Sequence, residues 1–298
     1  MIPFISPSDF YIGKACAVLG MVDQEYRKLP GLTQSALNLF NQSPALYAYA
    51  PPQETHAMRL GRALHAKMLT DQEDYVVKPS TYGPDQKPWH GGAKECKQWM
   101  EDNAHRTILS LEEHSEITNA VRHAMKHELV AHLIRGAYTE VSIFGVDQKG
   151  VPWGKGRLDA IQCRGDHIQI IDVKTTQDAT LGGFSRSIYQ RGYHRQAAWY
   201  VDLVSQFIDP KVRIDYWLIA LEVSPLPRVN VWKLAPEAVQ VGREENEKLI
   251  DLHIECSSRG YWPDFHKRDV GLLGMIDLPK WVYEREEELE GMTKGGSA

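Results

Sequence analysis

The sequence predicts an α/β fold whose elements run helix–β–β–β–helix–β. Two observations carry this expectation. Apolar residues recur at helical spacing from Thr55 to Met68 and again from Ala93 to Ile134. At Ala137 the period drops to two, and three alternating runs follow: Ala137–Val146, Trp153–Ile161 and His167–Lys174.

Each element has a local reason. Residues 1–29 show no clear period and read as irregular or weakly helical. Thr33 suits the N-cap of a helix over Gln34–Phe40, because its hydroxyl can accept from a first-turn N–H that lacks a helical partner. Pro44 suits the first position of another short helix, where its missing N–H costs nothing. Pro51-Pro52 breaks the chain. Met58, Leu60, Ala63, Leu64 and Met68 form one apolar stripe. Residues 79–92, with three prolines and three glycines, read as loop, and Ala93–Ile134 as helix broken once or twice. Gly145–Gly150 and Cys163–Asp166 are the turns between the strands. Ser185 or Ser187 is the expected cap of a long helix reaching Phe207. Val212–Leu221 and Val229–Leu234 are β-rich, and Pro236–Gly260 is the last helix. A single domain over 1–283, with its core at about 55–235, is expected to end in a disordered acidic tail, 284–298.

Composition narrows the class. A 43% hydrophobic and 24% charged chain of 298 residues is ordinary for a globular protein. No apolar run approaches the ~20 residues that span a bilayer, and no secretory leader is visible. Cys16, Cys96, Cys163 and Cys256 are scattered without a C-x₂-C pair, which argues against a disulfide framework and a zinc module. A reducing cytoplasm is the expected compartment. Net charge is −5, of which 284–298 contributes five acids against two bases. A chain so charged that handled nucleic acid would have to gather Arg and Lys on one surface, or work within a complex.

The densest chemistry lies in Gly156-Arg157-Leu158-Asp159-Ala160 and Ile168-Gln169-Ile170-Ile171-Asp172-Val173-Lys174-Thr175-Thr176. Alternation puts Asp172 and Lys174 on one face of a strand and Val173 on the other. If the two runs pair as a hairpin, Asp159 comes alongside. Two carboxylates and an ammonium then meet. Hard oxygen ligands suit Mg²⁺, with Mn²⁺ able to substitute, and a lysine beside a metal can orient a water. As a bare pattern, D-x₁₂-D-x-K also fits a solvated hairpin with a surface ion pair.

The surrounding segments resemble, in order, those of the PD-(D/E)xK nuclease superfamily. They are most similar to the RecE-type, YqaJ-type and phage lambda-type exonucleases, which degrade one strand of duplex DNA from the 5′ end. The segments are Leu32–Phe40 closing with Ser43–Tyr47, Leu60–His65, Tyr193–Tyr200, Trp262-Pro263 and Leu278–Trp281. Leu158 stands where the family motif has proline, and proline is not a ligand. The resemblance implies a restriction-endonuclease-like core, a mixed central sheet flanked by helices. The scattered cysteines depart from relatives that hold an iron–sulfur cluster near the C-terminus.

It also implies roles. Asp159 and Asp172, with the Val173 carbonyl, would hold the metal, and Lys174 would orient the attacking water. His65, four residues after Gly61, falls where RecB-like relatives place a metal-binding histidine; the glycine would let that helix approach the sheet closely. Glu140 would be a further ligand, or orient one. Gln196 and Tyr200 share a helix face and would line the catalytic side, while Tyr189, Tyr193 and Trp199 suit packing. Ser35 and Lys28 would hold a 5′-phosphate, and Arg59 and Arg62 backbone phosphates. Each has a plainer alternative: a core histidine, an exposed strand residue, a core tyrosine, a helix-start serine, a solvated basic face.

The function so implied is metal-dependent 5′→3′ degradation of one strand of linear duplex DNA, leaving 3′ single strands for recombination in phage or prophage style. Its partners would be duplex DNA ends, a single-strand annealing protein and two further copies in a closed trimer. An endonuclease or repair nuclease on this scaffold, or a silent DNA-binding scaffold protein, is the alternative.

Overall fold

The alternating runs that follow Ala137 become an antiparallel meander at the centre of a seven-stranded sheet. The computed structural model describes residues 2–51, 54–70 and 75–264. Leu278–Trp281 and the acidic tail lie outside the described residues. The first half of the chain contains β1 (Phe4–Ile5), β2 (Cys16–Val18), α1 (Asp23–Lys28), α2 (Gln34–Gln42), α3 (Pro44–Tyr49) and α4 (His56–His65), which runs on into a π turn. It continues with β3 (Tyr75–Val77), β4 (Thr81–Tyr82), β5 (Lys87–Pro88), α5 (Lys94–Asp102), β6 (Thr107–Leu109), α6 (Leu111–Lys126) and α7 (Glu128–Ile134). The second half contains β7 (Tyr138–Val146), β8 (Pro152–Arg164), β9 (His167–Thr176), α8 (Leu181–Gln190), α9 (Tyr193–Ser205), β10 (Arg213–Glu222), β11 (Val229–Lys233) and α10 (Pro236–Arg259).

The sheet order is β1-β2-β7-β8-β9-β10-β11. β9 and β10 run parallel, joined by the crossover through α8 and α9, and β7, β8 and β9 are antiparallel. The sheet is therefore mixed, as expected, and both faces are covered. One face packs Leu158, Ile168 and Ile170 with Leu37, Trp199, Tyr200 and Leu203 from the helices α2 and α9. The other packs Ala160, Ile171 and Val173 with Leu64 of α4 and Ile117 of α6. Among the described residues no helix is long and apolar enough to cross a membrane.

Several sequence expectations are corrected. Residues 1–29 contain β2, whose Ala17 and Val18 are fully buried and extend the sheet beyond β7. Three residues are too few for a period to show. The helical stretch after Ala93 includes β6, paired with β3, and the loop at 79–92 contains the short β4–β5 pair. The long helix before Phe207 is two helices. Thr180 caps the first by accepting from Gly183 N–H, while the Ser185 and Ser187 hydroxyls bond back to carbonyls four residues earlier, an interior habit of serine. Gly192, at φ 68°, then turns the chain into α9.

Two glycines on β8 set how close α9 comes. A Cβ on Gly154 would lie 2.8 Å from Trp199 Cζ2, and one on Gly156 would lie 2.6 Å from Tyr200 Cε1. Trp199 and Tyr200 thus press against bare backbone, and Trp199 Nε1 donates to the Lys155 carbonyl. Gly61 behaves otherwise. A Cβ there would meet nothing within 4 Å, so the expected close approach of α4 to the sheet at this glycine is absent. The buried Ala63 and Leu64 make that approach instead.

Candidate active site

The β8–β9 ladder stops at Ala160 and Ile171, one pair short of Asp159 and Asp172. Beyond that point β8 stays with β7 and β9 stays with β10, so the sheet forks. A fork leaves strand N–H groups without ladder partners. Asp159 Oδ2 takes one of them, accepting from Val173 N–H at 2.8 Å. The carboxylate is thereby fixed in the cleft that the fork opens.

His65, at the end of α4, reaches the same cleft. Its Nε2 lies 2.7 Å from the Val173 carbonyl, and its Nδ1 lies 3.5 Å from Asp159 Oδ1. A carbonyl only accepts, so Nε2 carries a hydrogen; in the neutral ring Nδ1 then offers its lone pair toward Asp159. Glu140, in β7, completes the group. One ligand atom each from His65, Glu140 and Asp159 lies within 4.8 Å of the others. Glu140 adopts φ 52°, a left-handed conformation that costs a non-glycine residue about 1–3 kcal/mol and recurs at functional sites.

Electrostatics agree with a cation-binding cleft. Burial first, and then the negative charge of Asp159, push the Glu140 carboxyl up to about 7 against the opposing pull of His65 and Arg157. Asp172 is almost fully buried on the α9 side of the sheet, with Lys174 Nζ 2.6 Å from its Oδ2. Burial raises the Asp172 carboxyl to about 6, Lys174 opposing and Asp159 adding to the rise. For Lys174, burial favours the neutral amine, but the charges of Asp172 and Asp159 outweigh it and hold the group above its ordinary value. At neutral pH the pair is carboxylate and ammonium.

A divalent ion fits these donors. Two carboxylate groups and an imidazole lone pair converge from three separate elements, and a cation would offset the burial and the Asp159 repulsion that together raise Glu140. The carbonyl of Val173 keeps a second lone pair beside them. The convergent set contains Glu140 and His65 with Asp159, whereas Asp172 is engaged by Lys174 one strand away.

Below this cleft, Gln196 Nε2 donates to the Tyr200 hydroxyl at 3.1 Å. Burial, with the nearby charge of Asp172, pushes the Tyr200 phenol well above its ordinary value and keeps it neutral. The same holds for Tyr216 on β10, which sequence reasoning missed because it reads as one more apolar strand residue. Tyr193 was assigned to packing, yet its ring lies against the Lys174 ammonium, 4.9 Å from centroid to Nζ.

The four residues assigned to phosphates are engaged elsewhere or exposed. Arg59 pairs with Glu113 at 2.9 Å, and Arg62 pairs with Glu54. The Ser35 hydroxyl lies 3.0 Å from that of Thr33, the α2 cap, and Lys28 is exposed at the end of α1. Lys155 is the more constrained cation of that region. Buried, it donates to the carbonyls of Tyr26, Arg27 and Leu29 and so ties the end of α1 to β8.

The fold is similar to that of a crystal structure from Eubacterium rectale described as "Putative exonuclease", with a TM-score of 0.55 and 11% identity over 87% of this chain and 97% of that one. A second solved structure, SSO0001, is 16% identical over 65% of this chain and 84% of its own; its TM-score of 0.27 carries no argument. No curated protein matches. The family model described as a PDDEXK-like domain of unknown function (DUF3799) matches residues 35–267, and the chain belongs to that family.

Proposed function

We propose that this chain is a divalent-metal-dependent deoxyribonuclease. In this reading it degrades one strand of linear duplex DNA, 5′ to 3′, and leaves 3′ single strands for recombination by annealing. The observation that carries the reading is the fork at Ala160/Ile171, which sets Asp159, Glu140 and His65 together beside the Asp172–Lys174 pair. Membership of a PDDEXK-like family supports it, as does likeness to a protein whose printed description is an exonuclease.

Asp159, Glu140 and His65 would hold Mg²⁺ or Mn²⁺, with Asp172 and the Val173 carbonyl adjoining. The bound ion would acidify a coordinated water and offset charge developing on phosphorus. Lys174 orients the attacking water through N–H donors that Asp172 does not use. Gln196, tied to Tyr200 by one amide N–H, would donate the other to a phosphate oxygen. RecE-type specificity, a single-strand annealing partner and a trimeric ring belong to this proposal through the sequence resemblance.

Linear duplexes labelled at either end, tested with and without Mg²⁺ and a 5′-phosphate, decide the matter. The expected result is loss of label from the 5′ end, only with metal, and no attack on covalently closed circles. Cutting of closed circles would make the enzyme an endonuclease. Binding without hydrolysis under every divalent ion would make it a scaffold protein.

A further inference from the structure

Lys174 is held from two sides. Asp172 Oδ2 is 2.6 Å from its ammonium, and the Tyr193 ring centroid is 4.9 Å from it. The lysine side chain is only 14% exposed, so neither attraction is much diluted by water. Tyr193 is itself fixed. It is the first residue of α9, placed there by the left-handed turn at Gly192. A Cβ at Gly192 would fall 2.7 Å from Asn38 Oδ1, so the turn is wedged against α2. The Phe184 ring packs 6.2 Å away, centroid to centroid.

This arrangement answers a specific difficulty. A lysine stem has several rotatable bonds, and the cleft already contains the carboxylates of Asp159, Asp172 and Glu140. Unopposed, their charge draws the ammonium into the space where a metal would sit. A carboxylate on the other side would hold the lysine back but add a further negative charge. An aromatic face attracts the ammonium through its quadrupole and adds no net charge.

We propose that Tyr193 is the positioning residue for Lys174, its ring face keeping the ammonium beside Asp172, clear of Asp159 and Glu140, and directed at the attacking water. This rests on the reading of Lys174 as the water-orienting group. The sequence pattern that would reveal it is the placement of Tyr193 three residues before Gln196, on the turn that delivers α9.

The test uses the full chain with Tyr193→Phe, Tyr193→Leu and a series of fluorinated phenylalanines at position 193. Fluorination weakens the ring quadrupole at nearly constant shape, so this series decides the matter even where the leucine variant fails to fold. Two readouts are taken: kcat and KM on a labelled linear duplex at saturating Mg²⁺, and the Lys174 ε-methylene resonance in metal-free protein, assigned through Lys174→Arg. Tyr193→Leu should lower kcat roughly tenfold with KM changed by less than about twofold, while Tyr193→Phe stays within about twofold of the parent. The rate should fall stepwise with added fluorine. The ε-methylene should show a ring-current shift in the parent and in Tyr193→Phe that is lost in Tyr193→Leu. A phenylalanine variant as slow as leucine, a flat fluorine series, or an unshifted ε-methylene in the parent would each overturn the proposal. If the parent hydrolyses no DNA, the nuclease reading fails alone, and the resonance still decides whether the ring holds the lysine.

Discussion

Asp159 Oδ2 accepts the backbone N–H of Val173 at 2.8 Å, so the Asp159 carboxylate is anchored by the strand that carries Asp172 and Lys174. The bond exists because the sheet forks there; in a continuous ladder that N–H would already be used. Charge-assisted bonds of this kind are among the stronger ones in proteins. Asp159→Asn keeps the size but can turn an amide N–H toward a donor, and it removes a negative ligand. Asp172→Asn frees the ammonium of Lys174, and Lys174→Ala removes it. Each variant is expected to lower DNA hydrolysis by a factor of about a thousand or more, in line with losing an electrostatic group at a reacting centre, while circular dichroism stays that of the parent. A well-folded Asp172→Asn protein with a near-parental rate would sink the site.

The electrostatics make a prediction about metal and pH together. Burial, then the charge of Asp159, raises Glu140 from 4.5 to about 7 in the folded chain. The unfolded chain therefore releases this proton first, and the folded state holds it longer. As pH rises from about 4.5 through about 7, the metal-free fold loses stability from this group; Asp172, raised from 3.8 to about 6, acts in the same direction. Carboxylates held low elsewhere, such as Glu245 beside Arg195 and His194, act oppositely, so absolute stability is a poor readout. The increment from added Mn²⁺ isolates the cleft. It should be larger at pH 8 than at pH 5.5, reaching about 2.7 kcal/mol at a hundredfold excess over Kd. His65→Ala should raise the Mn²⁺ concentration needed for half that increment. An increment independent of pH would remove the cation-binding cleft, and an unchanged titration in His65→Ala would make that histidine a packing residue.

The local signals were legible where one strand or one helix turn contained the whole reason. Asp172 and Lys174 share a face because strand period is two, and the Cys163–Asp166 turn returns the chain so that Asp159 lies level with Asp172. Thr33 caps its helix by accepting from the Ala36 N–H, as its place before Gln34–Phe40 predicts. What stayed hidden depends on contacts distant in sequence. The left-handed Glu140 has no glycine to mark it, and the strand β2 is three residues long. Gly192 lies inside an apolar pattern that continues on either side of it, so the break into α8 and α9 left no trace in the period. Tyr193 reads as packing by composition and meets Lys174 only through that break.

Gly61 was expected to serve packing, and the structure leaves open space over it instead. It stands one turn before His65 on α4, so the two share a face of the helix. On the proposed function, a DNA strand approaching the metal cluster passes over this bare turn. Glycine in a helix interior costs about 0.5–1 kcal/mol relative to alanine, so Gly61→Ala should raise thermal stability. A bulkier Gly61→Leu should keep the fold yet raise KM for duplex DNA several-fold, with a smaller effect on kcat. A leucine variant with parental KM would mean that the space is ordinary solvent.

The trimeric ring is what the sequence resemblance implies, and net charge gives it a physical rationale. A nuclease of net −5 cannot rely on a large non-specific attraction to DNA. A ring that traps the duplex has no such need, since the substrate is retained by topology and a basic lining suffices. Cyclic symmetry lets one heterologous interface close on itself, so three copies need a single pair of complementary patches. Residues 1–50 and 236–283 are the proposed sources of those patches. Within the described part of them Tyr49, Ile254 and Tyr261 expose large apolar side chains. Light scattering should report three copies of the 33.9 kDa chain at micromolar concentration. Digestion should continue for many nucleotides per encounter after competitor DNA is added. Tyr49→Glu with Ile254→Glu should release monomers that digest distributively, with the metal titration unchanged. A parent that is already monomeric and distributive rules the ring out. A dimer would leave the site chemistry standing, and processivity would then have to come from direct contacts with DNA.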